Sequence, residues 1–339
     1  MGEIMPSHKP VLRPIPIVIF CILSLVALVA LPFTGEFRSL ISVKKVDDHP
    51  FYVMHYYGDY GFADFLKTGY TSGNNQGNNP APFACTCFAI FNPEGDYLFG
   101  RNFDWEDHPA LLVFTHPPGG YASVAMVDIS YLGFTKESEL TWATRQALLD
   151  APYYPFDGMN EYGLVMGLMA VPAAKPAYDP AKVTLGSLHV IRLALDYART
   201  VDEAVELFRS YNVSFQGGPP VHYLIADASG TSAVVEFDYE DLKVIKNTEP
   251  WQVSTNFNIF GVTIDEGRMQ CKRYNDAYAA LQSSNGRVPH TESFAILKEV
   301  SQPHTLWTTL YDMTTGEIKV VLRRNYDTKY SYRIRMQKN

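Results

Sequence analysis

Apolar positions along the chain fall into three regimes. Residues 15–33, IPIVIFCILSLVALVALPF, carry no charge, and Lys9 and Arg13 precede them. Residues 34–84 are mixed: 55–62 are strongly aromatic, while 71–82, TSGNNQGNNPAP, have no apolar periodicity and read as an exposed linker. From Cys85 onward short strands and helices alternate. Residues 88–91 are an apolar run, Asn92-Pro93-Glu94-Gly95 is a turn signal and 97–99 return, which predicts a β-hairpin. Residues 106–156 are loop-rich and aromatic, of the kind that lines a pocket or packs a rim. Asp157-Gly158 and Asn160-Glu161-Tyr162-Gly163 are turn signals ahead of a strand at 164–171. Apolar positions at Leu188, Ile191 and Leu195, then at Ala204, Val205 and Phe208, have helical spacing. Thr200-Val201-Asp202-Glu203 is an N-cap with an acidic first turn, so two helices are expected there. Strands follow at 221–226, 232–237, 242–245 and 253–257, helices at 270–281 and 291–300, and strands at 305–313, 319–323 and 330–334. The basic end of this tail suits a sheet edge. This order of elements predicts an α+β fold in layers.

Composition narrows the class. The chain has 339 residues, 47% hydrophobic, and a net charge of −8, which argues against nucleic acid as a partner. No internal repeat and no phosphate-binding glycine loop is present in the sequence. Cys21 lies in the apolar run, and Cys85, Cys87 and Cys271 are an odd remainder rather than a disulfide framework. Cys85 and Cys87 have no second Cys pair or close His pair beside them, so no metal site is expected. Residues 15–33 read as an uncleaved membrane anchor, with a signal segment as the alternative, since about 20 residues span a bilayer. The basic flank 1–14 then places the remainder outside the cytoplasm, anchored or secreted.

The hairpin carries the candidate chemistry. Side chains alternate faces along a strand, so Cys85 and Cys87 share one face. An odd number of loop residues puts Arg101 on that face, diagonal to Cys85, with Asp104 just beyond. A cation there favours thiolate over thiol. The plain alternative is a small buried hydrophobe and a surface ion pair. Two other readings stay open: a papain-like protease drawing its base from His189, His222, His290 or His304, and a membrane-tethered binding protein without catalysis.

Cys85-Thr86 followed by Gly100-Arg101-Asn102-Phe103-Asp104 resembles the start of mature enzymes of the choloylglycine hydrolase and penicillin V acylase family. These are N-terminal-nucleophile hydrolases, and acid ceramidase and isopenicillin N acyltransferases share the opening pattern. Asp157-Gly158-Met159-Asn160-Glu161-Tyr162-Gly163-Leu164 resembles the same family independently. The resemblance implies a four-layer αββα sandwich over 85–339, with 34–84 a pro-segment removed by self-cleavage between Ala84 and Cys85. It implies that Cys85 is the nucleophile and that its freed α-amine is the base. Asp104 would orient that amine, and Arg101 would favour the thiolate and steer a carboxylate or carbonyl. The Asn256 side chain and the Ala170 backbone N–H would hold the oxyanion, and Arg273 matches an Arg placed beside the nucleophile. Cys87 has no role in this scheme. No metal or organic cofactor is implied. The expected activity is hydrolysis of linear amides through a Cys thioester. Ala170 stands where bile salt hydrolases carry Asn, which argues against bile salts. An N-acyl amino acid or similar amide with an apolar or aromatic acyl group is expected, with penicillin V a surrogate and the membrane met through residues 15–33.

Overall fold

A computed structural model describes residues 34–69, 84–238 and 241–337. The apolar run 15–33 and the linker 71–82 lie outside them. Among the described residues no helix is long and apolar enough to cross a membrane.

The described chain starts with α1 (Gly35–Ser42), β1 (Lys44–Asp47), β2 (Phe51–His55) and α2 (Phe62–Thr68). The hairpin follows as β3 (Ala84–Phe91) and β4 (Tyr97–Asp104), then β5 (Ala110–Thr115) and β6 (Ser123–Asp128). After two 3-10 stretches come β7 (Asp157–Asn160), β8 (Val165–Ala170), β9 (Thr184–Gly186), α3 (His189–Tyr197) and α4 (Val201–Ser210). Next are β10 (Asn212–Ser214), β11 (Val221–Ala226), β12 (Ser232–Asp238), β13 (Asp241–Lys246) and β14 (Trp251–Ser254). The chain closes with α5 (Ile264–Gln270), α6 (Lys272–Ser284), α7 (His290–Glu299), β15 (Thr305–Asp312), β16 (Glu317–Leu322) and β17 (Tyr330–Arg333).

Two large sheets hold the molecule together. One has nine strands in the order β1-β2-β5-β6-β7-β8-β11-β12-β13, and the other has six in the order β14-β3-β4-β15-β16-β17. They stack with β3 against β8; α3 and α4 cover the nine-stranded sheet and α6 and α7 the six-stranded one. Alternation along β3 explains the stacking. Cys85, Cys87, Ala89 and Phe91 enter the core between the sheets, while Phe88 and Ile90 enter a second core with Tyr274, Leu281 and Leu297 beneath the helices. The two cysteines therefore face the middle of the sandwich.

Several expectations shift. The stretch 34–69, expected as part of a pro-segment, joins the fold: β2 pairs in parallel with β5, register Phe51 to Ala110, so that β1 and β2 extend the nine-stranded sheet. The expected loops of 106–156 contain β5 and β6, buried on both faces, which is why they show continuous apolar runs rather than alternation. Asp157-Gly158, read as a turn, opens strand β7. The helix expected over 270–281 is α6, and a further helix, α5, precedes it, started by a capping box at Thr263 and Glu266 and broken from α6 at Cys271. The Thr200 cap is as expected, its hydroxyl accepting from the Glu203 N–H at 3.2 Å.

Candidate active site

The site grows out of the hairpin register. Cys85 lies opposite Phe103 and Cys87 opposite Arg101, across a loop of residues 92–96, so Arg101 is diagonal to Cys85 as alternation requires. Its Nη2 lies 3.9 Å from the Cys85 sulfur and its Nη1 3.5 Å from that of Cys87. Nη1 also donates to the Leu168 carbonyl at 2.5 Å. Nε pairs with the Asp157 carboxylate at 2.9 Å, and neither side chain is exposed. Asp157 in turn accepts from Trp307 Nε1 at 3.0 Å and from the hydroxyls of Thr309 and Tyr311. Room for the guanidinium comes from Gly167: a Cβ there would lie 2.9 Å from Arg101 Nη1.

Arg101 is thus buried among the two sulfurs, the Leu168 carbonyl and the Asp157 carboxylate. Burial pushes the Cys85 thiol up, with Arg101 opposing it, and pushes Cys87 up to about 12.

A second set of groups surrounds the Ala84–Cys85 peptide. The Cys85 N–H donates to Asn256 Oδ1 at 2.5 Å. Arg273, in the first turn of α6, donates to the Cys85 carbonyl, to Thr86 Oγ1 at 3.0 Å and to Asn256 Oδ1 at 2.9 Å. Asn256 Nδ2 donates to the Ala170 carbonyl at 2.8 Å, closing a bridge from β14 to the end of β8. Asp104 lies opposite Ala84. Its Oδ1 accepts from Thr305 at 2.5 Å, and its buried Oδ2 has no hydrogen-bond partner among the described residues. Burial pushes this carboxyl up to about 6. Cys85, Arg101, Asp104, Ala170, Asn256 and Arg273, expected together, are found together.

The histidines proposed as rival bases are placed otherwise. His222 is buried, with Nδ1 2.9 Å from Glu236 and Nε2 2.7 Å from the Thr255 carbonyl. Glu236 also accepts from the N–H groups of Ile259 and Phe260. Burial opposes this charge, but His222 and the two amides outweigh it and hold the carboxyl below its usual range. This buried pair fixes the loop that presents Asn256. His290 is engaged with Asp312 at 2.9 Å, and the His304 carbonyl accepts the Trp105 N–H. His189 lines the cleft beside Cys85, and burial pushes it down to about 4.

The cleft itself is open to solvent. Cys85 and Ala170 lie in its wall with Phe103, Phe156, Tyr131 and Leu168. Phe103 and Phe156 meet edge to face at 5.1 Å, and Tyr131 and Phe156 at 5.2 Å. Tyr131, Tyr154 and Phe156, from the stretch expected to line a pocket or pack a rim, thus form part of its apolar side. Sequence reasoning missed Asp157 as the partner of Arg101, Gly167 and the His222–Glu236 pair. Only Asp157 left a signal, inside a motif that reads as a turn.

Solved structures share this architecture. A variant of the conjugated bile acid hydrolase from Clostridium perfringens is 17% identical, with a TM-score of 0.57, over 74% of this chain and 92% of that one. Penicillin V acylase from Agrobacterium tumefaciens is 18% identical, with a TM-score of 0.50, over 70% and 83% respectively. At this identity the likeness is one of fold. A sequence model described as linear amide C-N hydrolases, choloylglycine hydrolase family, matches residues 85–286 and begins on the cysteine that the hairpin singled out. The chain belongs to the choloylglycine hydrolase family of linear amide C-N hydrolases.

Proposed function

We propose that this chain hydrolyses linear N-acyl amides with Cys85 as nucleophile, after breaking its own Ala84–Cys85 bond. The reading is supported by Asn256 Oδ1, which accepts the Cys85 N–H, and by the buried, partnerless Oδ2 of Asp104, whose residue pairs with Ala84 across the hairpin. A peptide N–H satisfies only the first. A free ammonium has three donors, one for Asn256 and a further one to offer the Asp104 carboxylate.

The cut begins when the Cys85 sulfur attacks the Ala84 carbonyl. The C–N bond breaks, the nitrogen takes the thiol proton, and the resulting thioester is hydrolysed by water to leave an Ala84 carboxylate. The α-amine then has a pKa of ~7.7–8.0 in its unperturbed form, suited to a base at neutral pH. It takes the thiol proton that burial holds on Cys85, the sulfur attacks the substrate carbonyl, and the ammonium returns the proton to the leaving amine. Water releases the acid from the thioester. The second N–H of Asn256 Nδ2 and the Ala170 backbone N–H serve the oxyanion, each worth ~3 kcal/mol of barrier. The Leu168 N–H points to Phe156 on the β7 side, and the Ala170 N–H two residues on points the same way, past the end of that pairing. Arg101 and Arg273 hold the sulfur's surroundings and the backbone of Cys85. The aromatic wall suits an apolar or aromatic acyl group; with both arginines engaged, no carboxylate on the amine is required. Penicillin V fits as a surrogate, and Ala170 speaks against bile salts. The charge-free run 15–33 behind Lys9 and Arg13 supports a site outside the cytoplasm, tethered or secreted.

Intact-mass analysis tests this. Wild-type protein yields a chain beginning at Cys85 that gains an acyl group on Cys85 during turnover of an N-acyl amide. Cys85→Ala stays uncut and inactive. A cut Cys85→Ala chain, or an acyl group on another residue, overturns the scheme.

A further inference from the structure

The segment before Cys85 reaches the substrate cleft through a stack of rings. On α2, Phe65 lies 4.6 Å from His189, ring centre to ring centre, and 5.5 Å edge-on from Tyr153, which Phe62 also meets at 5.6 Å. The Tyr153 hydroxyl donates to the Tyr60 carbonyl at 2.6 Å. The Tyr60 hydroxyl donates to the buried Asp196 carboxylate at 2.7 Å. After α2 the chain turns at Gly69, whose φ is +69°, tight against β9: a Cβ there would lie 2.4 Å from Val183 Cγ1 and 2.6 Å from the Thr184 carbonyl.

What this stack supports is the wall of the cleft. Strand β9 runs into Gly186, Ser187, Leu188 and His189, and all four line the cleft, as does Tyr154 next to Tyr153. His189 is tied back to this turn, its Nδ1 accepting the Gly186 N–H at 3.1 Å. In the neutral ring the proton is therefore on Nε2. One side of His189 packs on Phe65 and Tyr154, at 4.6 Å and 5.9 Å, and the residue also lines the space beside Cys85.

We infer that residues 60–69, upstream of the nucleophile, are a working part of the substrate pocket. Phe65 is a positioning residue: by holding His189 and the 186–189 turn it sets how long or bulky an acyl group the cleft admits. The segment consequently stays bound after the 84–85 bond is cut. This rests on the amidase reading above.

The test compares processed wild type, Phe65→Ala and Phe65→Leu on N-acyl amides with acetyl, medium and long acyl chains, with alkylation of Cys85 by iodoacetamide as a second readout. Phe65→Ala raises KM for the long chain at least about tenfold relative to the acetyl amide, the scale of lost pocket packing, while kcat and Cys85 alkylation hold. Phe65→Leu, which keeps apolar volume, gives a smaller shift in the same direction and carries the comparison if Phe65→Ala does not fold. Unchanged chain-length profiles in both variants overturn the inference. So does a processed protein that has shed residues 34–84 and keeps the wild-type profile. A wild type that cleaves none of the amides removes the amidase reading, and this inference falls with it.

Discussion

Among the described residues two arginines are wholly buried against aspartates, at the same 2.9 Å, and they do different work. Arg101 and Asp157 are far apart in sequence, on β4 of one sheet and β7 of the other, and their pair pins the sheets together behind Cys85. Arg192 and Asp196 are one turn apart on α3. Their pair is completed from outside the helix, by Ser123 at 2.5 Å from Arg192 and by the Tyr60 hydroxyl on Asp196. The difference is one of reach. A pair made between sheets fixes the position of what lies on them, here two sulfurs. A pair made within one helix turn cannot fix anything distant, but it presents an oriented carboxylate to which another segment can attach, here the segment upstream of the nucleophile.

The largest effect comes from breaking the first pair. Arg101→Ala leaves Asp157 charged and unpaired in the core and costs about 3–5 kcal/mol, read from urea unfolding. Arg101→Met with Asp157→Leu recovers most of that stability, because matched apolar replacements of a buried pair are tolerated, yet it does not recover cutting at 84–85. Recovery of both would mean that the pair serves stability alone. The second pair is sharpened by Tyr60→Phe, which removes one hydrogen bond to a buried charge and costs about 1.5–3 kcal/mol. The loss appears as faster amide exchange in residues 34–69, with Cys85 alkylation unchanged.

A pH series separates the pairs further. Burial pushes Asp196 up to about 6, with Arg192 and Tyr60 pulling it back. A carboxyl raised in the folded state binds its proton more tightly there than in the unfolded chain. Its contribution is therefore present at low pH and lost as pH rises through about 4 to 6. The stability of wild type relative to Asp196→Asn falls over that window, and a flat difference contradicts the assignment. The smallest effect is that of Cys87→Ala, about 1 kcal/mol from a small cavity, with normal cutting at 84–85 in an intact-mass measurement.

The site was legible in sequence where local geometry governs it. Alternation along β3 and the odd loop determine that Cys85, Cys87 and Arg101 share a face, and the structure has that phase. What the sequence hid depends on distant chain. Asp157 reads as a turn because Asp-Gly is a turn pair, and only burial beneath Trp307 and Tyr311 makes it a strand and the partner of Arg101. Gly167 reads as an interruption in an apolar run until Arg101 is seen to occupy its missing side chain. β1 is short and charged at three of its four positions, and β2 owes its place to parallel pairing with β5 across the whole hairpin, which no local pattern records. His222 was weighed as a base because it is a histidine, whereas its place between Glu236 and the Thr255 carbonyl makes it a brace for Asn256.

The parallel seam between β2 and β5 has a consequence for how often the protein can fold. Under the proposed cut, folding of the newborn chain is unimolecular, because β2 and β5 belong to one polypeptide. Once residue 84 is severed from residue 85 the same seam joins two molecules. Refolding then becomes a second-order reaction whose yield falls on dilution. The mature protein would be expected to endure through slow unfolding rather than through ready return, and its thermal inactivation to depend on concentration in a way that the uncut Cys85→Ala chain does not share.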